Sequence, residues 1–263
     1  PKGEEMPRLP RVELAGYHHI LNRGVEKRRV FLDDEDFETF LDLLCLNVTL
    51  YEVTLHSYCL MSNHYHLLVE TSQENLSKFM RAINSQYAAY FNKKRKRVGH
   101  LWQGRFKSWF VTDEAYLYTL VKYIEFNPIK AKMTKEIGEY LYSSACSFLL
   151  KQENPIPCLK NSMMFLEFKT PHDRVEFFES GYDESILKDL ANGSKLVVSS
   201  VTNKKLSIVK LEKHLKEFDI KVERNEKILS ALALGYSQYQ IAQVLKLSQG
   251  AVSYVVKNSK NGE

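Results

Sequence analysis

The sequence predicts an α+β fold: a ferredoxin-like antiparallel sheet with helices on one face, followed by a helical C-terminal region that carries a helix-turn-helix. Three observations predict it. Apolar residues switch between strand and helix periodicity in the order strand, helix, strand, strand, helix, strand, helix. Two split strand–helix–strand units in that order close into one antiparallel sheet. Near the C-terminus, residues 224–258 break into short amphipathic segments joined by tight turns.

The first strand is AGYHHILNRG (15–24), ended by Asn-Arg-Gly. Asp33 and Asp34 open a helix whose Phe37, Phe40, Leu41 and Leu44 follow helical spacing. YEVTLHSYCL (51–60) and HYHLLVE (64–70) flank a short turn and form a hairpin. Leu76, Phe79, Met80, Ile83, Tyr87 and Phe91 make one stripe of a helix that ends in KKRKR. RFKSWFV (105–111) is a further strand, and DEAYLYTLVKYIEFNP (113–128) is a helix stopped by Pro128. The expected division is a first domain over 1–140, an accessory helical and linker region over 141–204, and a last domain over 205–263.

Of the 263 residues, 44% are hydrophobic, enough for a real core, and the net charge of +5 suits a polyanionic partner. Cys45, Cys59, Cys146 and Cys158 show no C-x-x-C spacing, and we read them as reduced thiols of a cytoplasmic protein. The N-terminus lacks signal-peptide character. No apolar run approaches the ~18 residues of a membrane span, so no membrane partner is expected.

Strand periodicity puts His64 and His66 on one face, with Tyr65, Leu67 and Val69 on the other. Two same-face imidazoles can hold one metal ion, or can be half-buried residues bonded to carbonyls. His18 and His19 point to opposite faces, and His56 could approach the pair. On the last helix of the sheet domain, Leu117, Leu120, Val121 and Ile124 form the apolar face. Tyr123 and Asn127 stand at i and i+4 on its flank. The amide could be a third ligand and the phenol a nucleophile, given a nearby cation or base. Tyr116, on the same flank, is a reserve nucleophile without an amide partner.

These pieces resemble a known family. NHYHLLVE resembles the HUH motif of two histidines around a hydrophobic residue. VKYIEFNPIKAKM resembles the tyrosine helix of single-tyrosine HUH transposases, above all the REP-associated tyrosine transposases with their Tyr-Ile-x-x-Asn-Pro stretch. YHHILNRG and GHLWQGRF are similar to segments of the same family, and the match runs over about residues 14–150. The resemblance implies that His64, His66 and Asn127 hold one divalent cation, Mg²⁺ or Mn²⁺. It implies that Tyr123 attacks single-stranded DNA, leaving a 5′-phosphotyrosine link and a free 3′-hydroxyl whose attack reverses the step. It further implies hairpin DNA as substrate, a monomer or homodimer, and a bacterial, nucleoid-associated setting.

Basic side chains neutralise phosphates and aromatics stack unpaired bases. Lys93, Lys94, Arg95, Lys96 and Arg97, followed by Trp102, Gln103 and Arg105, are the candidate DNA-binding residues, with Asn22 and Arg23 at the end of the first strand. In the C-terminal segment, Gly235 ends a helix and Ser237 with Gln240 makes a capping box. Ser248 caps a last helix that would offer Gln249, Ser253, Tyr254 and Lys257 to a duplex major groove. Two other classes stay open. One is a non-catalytic helix-turn-helix regulator derived from a transposase. The other is a zinc hydrolase, which lacks an obvious carboxylate base beside the histidine pair.

Overall fold

A computed structural model of the chain describes residues 13–111, 115–150, 156–181, 215, 221–233, 238–247, 251, 252 and 255. The elements β1 (Gly16–Arg23), α1 (Asp34–Leu50), β2 (Val53–Met61), β3 (His64–Thr71), α2 (Leu76–Lys94), β4 (Lys107–Phe110) and α3 (Ala115–Glu125) follow one another as the periodicity predicts. The sheet order is β2-β3-β1-β4, and every neighbouring pair is antiparallel. Ser62 and Asn63 alone turn the chain from β2 into β3, which fixes the register Met61↔His64.

The helices α1 and α2 cover one face. Phe40 packs on Tyr65 of β3 and on Tyr87 of α2, and all three rings are fully buried. An ion-pair clasp ties the start of α1 to the end of α2. Lys94 reaches Asp33, Glu35 and Asp36 at 2.8–3.0 Å, and Arg95 reaches Asp33 and Asp36 at 2.5 and 2.9 Å. Exposed ion pairs contribute about 0–1 kcal/mol each. Asp36, however, has a side chain 0% exposed, so losing its cations would leave a buried charge. Asp33 also caps α1, accepting from the Asp36 amide at 3.1 Å. The two cations hold its carboxyl well below the usual carboxylate range.

The opposite face is covered too, by α3. Leu117, Leu120, Val121 and Ile124 are buried there as their spacing predicts. The expectation of helices on one face thus holds for α1 and α2, with α3 as an addition. The reason is legible in β3. Leu67 and Leu68 are adjacent and therefore point opposite ways, and both are 0% exposed.

The tyrosine helix stops at Glu125, two residues before Asn127, and Pro128 sits in the first turn of a short helix, α4 (Asn127–Lys130). Three more helices follow: α5 (Ser144–Phe148), α6 (Met163–Glu167) and α7 (Pro171–Glu179). They pack into the same unit as the sheet. Arg174 donates from Nε to the Phe148 carbonyl at 2.6 Å, Ser162 to the His56 carbonyl at 2.7 Å, and Lys122 to the Gly181 carbonyl at 2.7 Å. Residues 13–111 and 115–181 therefore form one compact unit, and the expected boundary at residue 140 does not divide it.

The cysteine reading needs a correction. Cys45 on α1 and Cys158 in the 3-10 turn Pro157–Leu159 form a disulfide, with Cα atoms 5.1 Å apart. Cys45 sits at the edge of α1, half-buried, where a later segment reaches it. Cys59 and Cys146 are buried and in no disulfide, as expected of reduced thiols.

From residue 215 onward the described residues belong to a second unit. It holds α8 (Lys221–Ala233) and α9 (Gln238–Leu245). Leu215, Ile228, Ala231, Ile241, Ala242, Val252 and Val255 form its core. Gly235, Ser237, Ser248, Gln249, Ser253, Tyr254 and Lys257 lie outside the described residues. Among the described residues, no helix is long and apolar enough to cross a membrane.

Thiol titration tests the disulfide. The denatured chain should yield two thiols without reductant and all four with it. Reduction should lower stability by about 2–4 kcal/mol. Four thiols without reductant would contradict the bridge.

Candidate active site

The site lies on the α3 face of the sheet. His64 and His66 project from β3 on alternate residues, as period two requires. His64 is half-buried, with Nδ1 2.6 Å from the Asn63 side-chain oxygen, so Nδ1 carries the proton and Nε2 keeps its lone pair. His66 is buried, and its Nδ1 lies 3.1 Å from His19 Nε2 on the neighbouring strand. The two imidazoles stack at 5.4 Å between ring centres, and Trp109 of β4 stacks on the far side of His19 at 5.2 Å.

Burial lowers the pKa of all three histidines. His19 falls to about 4, and His66 falls well below the ordinary value, with its imidazole neighbours adding to the effect. His64 is lowered by burial and by the nearby Arg23 charge. Neutral imidazoles are the form that binds metals.

The helix α3 brings Tyr123 edge-on to both stacked rings. Its centroid is 5.6 Å from His66 and 5.8 Å from His19. The Lys130 ammonium lies over the Tyr123 ring at 4.9 Å. Asn127 donates from Nδ2 to the Tyr123 carbonyl at 2.8 Å, which leaves its amide oxygen as an acceptor beside the tyrosine's own turn.

Glu125 fixes the end of α3. Its carboxylate is fully buried and accepts from Ser57 of β2 at 2.6 Å, from the Ala145 amide at 2.7 Å and from the Ser144 hydroxyl. Burial pushes its pKa up to about 7, against those hydrogen bonds, which oppose the rise. A buried carboxylate has its donors in one geometry only, so it sets the register of the helix that carries Tyr123.

A divalent cation fits this donor set, though not as an all-protein cage. Among the described residues no three His, Cys, Asp or Glu side chains come together at metal-binding distance. Two imidazole nitrogens and one amide oxygen leave positions for water and phosphate oxygens, the usual arrangement for Mg²⁺ and accessible to Mn²⁺. A cation on His66 Nε2 requires His66 to donate from Nδ1 to His19.

The expected DNA contacts divide. Asn22 is buried and donates to Asn84 at 3.2 Å. Trp102 is half-buried, gives its indole N–H to the Asn84 carbonyl at 3.0 Å and packs on Tyr65. Lys94 and Arg95 are committed to the clasp described above. Arg23 donates to the Gln103 side chain at 2.8 Å at the surface. Lys93, Lys96 and Arg105 are exposed, and Arg97 is half-buried beside Phe91. His56 pairs with Glu70 at 3.1 Å instead of joining the site. Tyr118 bonds Glu167, away from it.

His19, Trp109 and Lys130 are the site residues that sequence reasoning missed. Alternation in GYHHILNR places one of the two adjacent histidines on each face. The β1–β3 register, Leu21↔His66 and His19↔Leu68, then makes His19 the diagonal neighbour of His66.

With this geometry in place, residues 12–127 match the sequence model of the family described as "Transposase IS200 like". Among solved structures, a REP-associated tyrosine transposase bound to a REP hairpin aligns at 18% identity and TM-score 0.48, covering 57% of this chain and 90% of that one. A protein of Deinococcus radiodurans R1 described as a transposase aligns at 20% identity and TM-score 0.33, covering 46% and 96%. The tRNA(His) guanylyltransferase of Saccharomyces cerevisiae aligns at 11% identity and TM-score 0.35, covering 71% and 80%. No curated protein sequence matches the chain.

Glu125 gives a pH prediction. Its folded pKa, about 7, lies above the ordinary 4.5, so across that window the folded chain keeps a proton that the unfolded chain has released. This group's contribution is therefore full below 4.5 and is lost as pH rises through 7. The difference in unfolding free energy between wild type and Glu125→Gln should change by about 3 kcal/mol between pH 4.5 and 8, wild type losing ground as pH rises. Equal pH slopes in denaturant titrations would contradict the assignment.

Proposed function

From the premise that residues 12–127 belong to the IS200-like transposase family, we propose that this chain is a metal-dependent endonuclease and strand transferase acting on single-stranded DNA through a 5′-phosphotyrosine intermediate. The observation that carries the reading is the approach of Tyr123 to His66 within one chain, at 5.6 Å between ring centres. A phenol that can attack thus stands beside neutral imidazoles that can hold a cation. The substrate class follows the motif resemblance: hairpin DNA with unpaired flanks.

In this mechanism His64 and His66 present their Nε2 atoms and Asn127 its amide oxygen to Mg²⁺ or Mn²⁺. A cation held by these residues would polarise the scissile phosphate and offset the charge that develops on it. Asn63 and His19 hold the two imidazoles in the tautomers that ligation needs. Tyr123 loses its proton to solvent or to a bound base, next to the Lys130 cation, and its oxygen attacks phosphorus. The new bond joins Tyr123 to the 5′-phosphate. The bond to the 3′-oxygen breaks, and that oxygen leaves as a hydroxyl after taking up a proton. Attack by a 3′-hydroxyl on the phosphotyrosine reverses these steps and rejoins DNA. Because the tyrosine and the histidines of one chain are already adjacent, we place the reaction in cis.

Two variants test the roles. Tyr123→Phe should abolish the covalent protein–DNA adduct on labelled hairpin oligonucleotides with Mn²⁺ while leaving affinity within about twofold. An adduct that persists would move the nucleophile elsewhere. His66→Ala should weaken Mn²⁺ binding by about 10–100-fold, read by Mn²⁺ paramagnetic resonance without DNA. Unchanged Mn²⁺ binding would remove His66 from the ligand set.

A further inference from the structure

A second concave site lies beside the loop that follows β1. Residues 24–31 wrap the β2–β3 turn. The Gly24 amide donates to the Asn63 carbonyl at 2.9 Å, and the Val30 and Phe31 amides donate to the Ser62 carbonyl at 2.8 and 3.0 Å. The loop is tightly wound. A Cβ on Gly24 would stand 2.3 Å from the Arg28 carbonyl oxygen and 2.7 Å from Val30. Glu26 and Lys27 both sit in the left-handed region, at φ 54° and 59°. Two consecutive non-glycine residues in that region cost on the order of 1–3 kcal/mol each, and such strain gathers at ligand sites.

The loop and the end of α2 enclose a cavity of about 250 Å³. Val30, Phe91 and Leu101 give it an apolar floor. Arg28, Arg29, Arg95 and Arg97 line it as well. Arg95 and Arg97 lie beside the Phe91 ring, each 5.9 Å from its centre. The Arg95 Nε is buried and has no hydrogen-bond partner. Arg28 and Arg29 are exposed on the loop side, Arg28 in a surface ion pair with Glu26 at 2.6 Å that a phosphate would displace. An apolar slot ringed by guanidinium groups suits a flat apolar ring carrying a phosphate. Its size, below that of ordinary drug-binding clefts, suits one such unit.

We propose that this cavity is a binding site for one unpaired nucleotide of a DNA strand. The base enters over the Val30–Phe91 floor, where the guanidinium plane of Arg97 can stack on it while Arg95 keeps its pairs with Asp33 and Asp36. Its phosphates pair with Arg28 and Arg29. The site rests on the single-strand DNA reading above and adds to it a fixed grip outside the histidine–tyrosine centre. Through the Ser62–Asn63 turn the loop is bonded to the residue that orients His64. The Asn63 Nδ2 donates to the Lys27 carbonyl at 3.1 Å while its Oδ1 accepts from His64. A nucleotide held here is anchored on the backbone that leads into β3.

The test uses the full chain and a fluorescein-labelled oligothymidine, read by anisotropy over a salt series. Arg28→Ala/Arg29→Ala should weaken binding by about tenfold and flatten the salt dependence by about 1–1.5 log units per log unit, the loss of two single-strand phosphate contacts. Leu32→Trp fills the cavity from its rim without removing charge. It should weaken binding by about fivefold or more with the salt slope unchanged. Thiothymidine in the same strand should crosslink to the peptides holding Val30 or Phe91, and Leu32→Trp should abolish that crosslink. Lys169→Ala, an exposed charge elsewhere, should bind as wild type does.

An arginine double variant with wild-type affinity and salt slope, or crosslinks that map only to other peptides, would overturn the site. Loss of the adduct reaction in wild type, with these binding effects intact, would overturn the reaction and leave the site. A wild-type chain that does not bind the oligothymidine at all would overturn both.

Discussion

Everything in the first unit depends on β3 being buried on both faces. Its odd-numbered residues, Tyr65, Leu67 and Val69, pack under α1 and α2. Its even-numbered ones include Leu68, which can leave water only if a helix crosses the other face. That helix is α3, and the same face carries His64 and His66. The need to cover an apolar strand thus brings a tyrosine helix over a pair of imidazoles. Glu125 then removes the remaining freedom. Pulling α3 out of register would strip a buried carboxylate of Ser57, Ser144 and the Ala145 amide, a loss of at least about 1–3 kcal/mol.

The site combines neutral ligands with charge placed around them. Burial keeps His19 and His66 uncharged at neutral pH, and Asn63 and His19 supply the contacts that orient the imidazoles. Positive charge sits elsewhere: Lys130 over the tyrosine and arginines around the loop after β1. Lys94 and Arg95 pair with the acidic start of α1; the cations complement the C-terminal dipole of α2 and the carboxylates the N-terminal dipole of α1. A run such as KKRKR therefore serves two ends. Its middle holds the fold together, while Lys93 and Lys96 face solvent.

The order of elements was readable because each has a clean period, and the faces of β3 followed from alternation alone. Tyr123 and Asn127 were readable as an i, i+4 pair, and they stay adjacent although α3 ends between them. His19 was not readable, because its partner is set by the pairing of β1 with β3, which no local pattern encodes. The Cys45–Cys158 bridge was hidden for the same reason, with its ends separated by 113 residues. Nothing in the local pattern singles out Glu125 from other charges on an amphipathic helix. Only the fold of α5 against β2 supplies its donors. The region 141–204 read as accessory helix and linker because its described helices are short and owe their order to contacts with the sheet unit.

The central claim is that one chain's Tyr123 works with that chain's His64 and His66. A mixing experiment tests it most directly. Tyr123→Phe and His66→Ala chains are combined in equal amounts with a labelled hairpin oligonucleotide and Mn²⁺, and covalent protein–DNA adduct is measured. The account predicts that the mixture forms no more adduct than either variant alone, because no chain in it holds both groups. Adduct restored by mixing would place the tyrosine against the histidines of another chain and contradict the account.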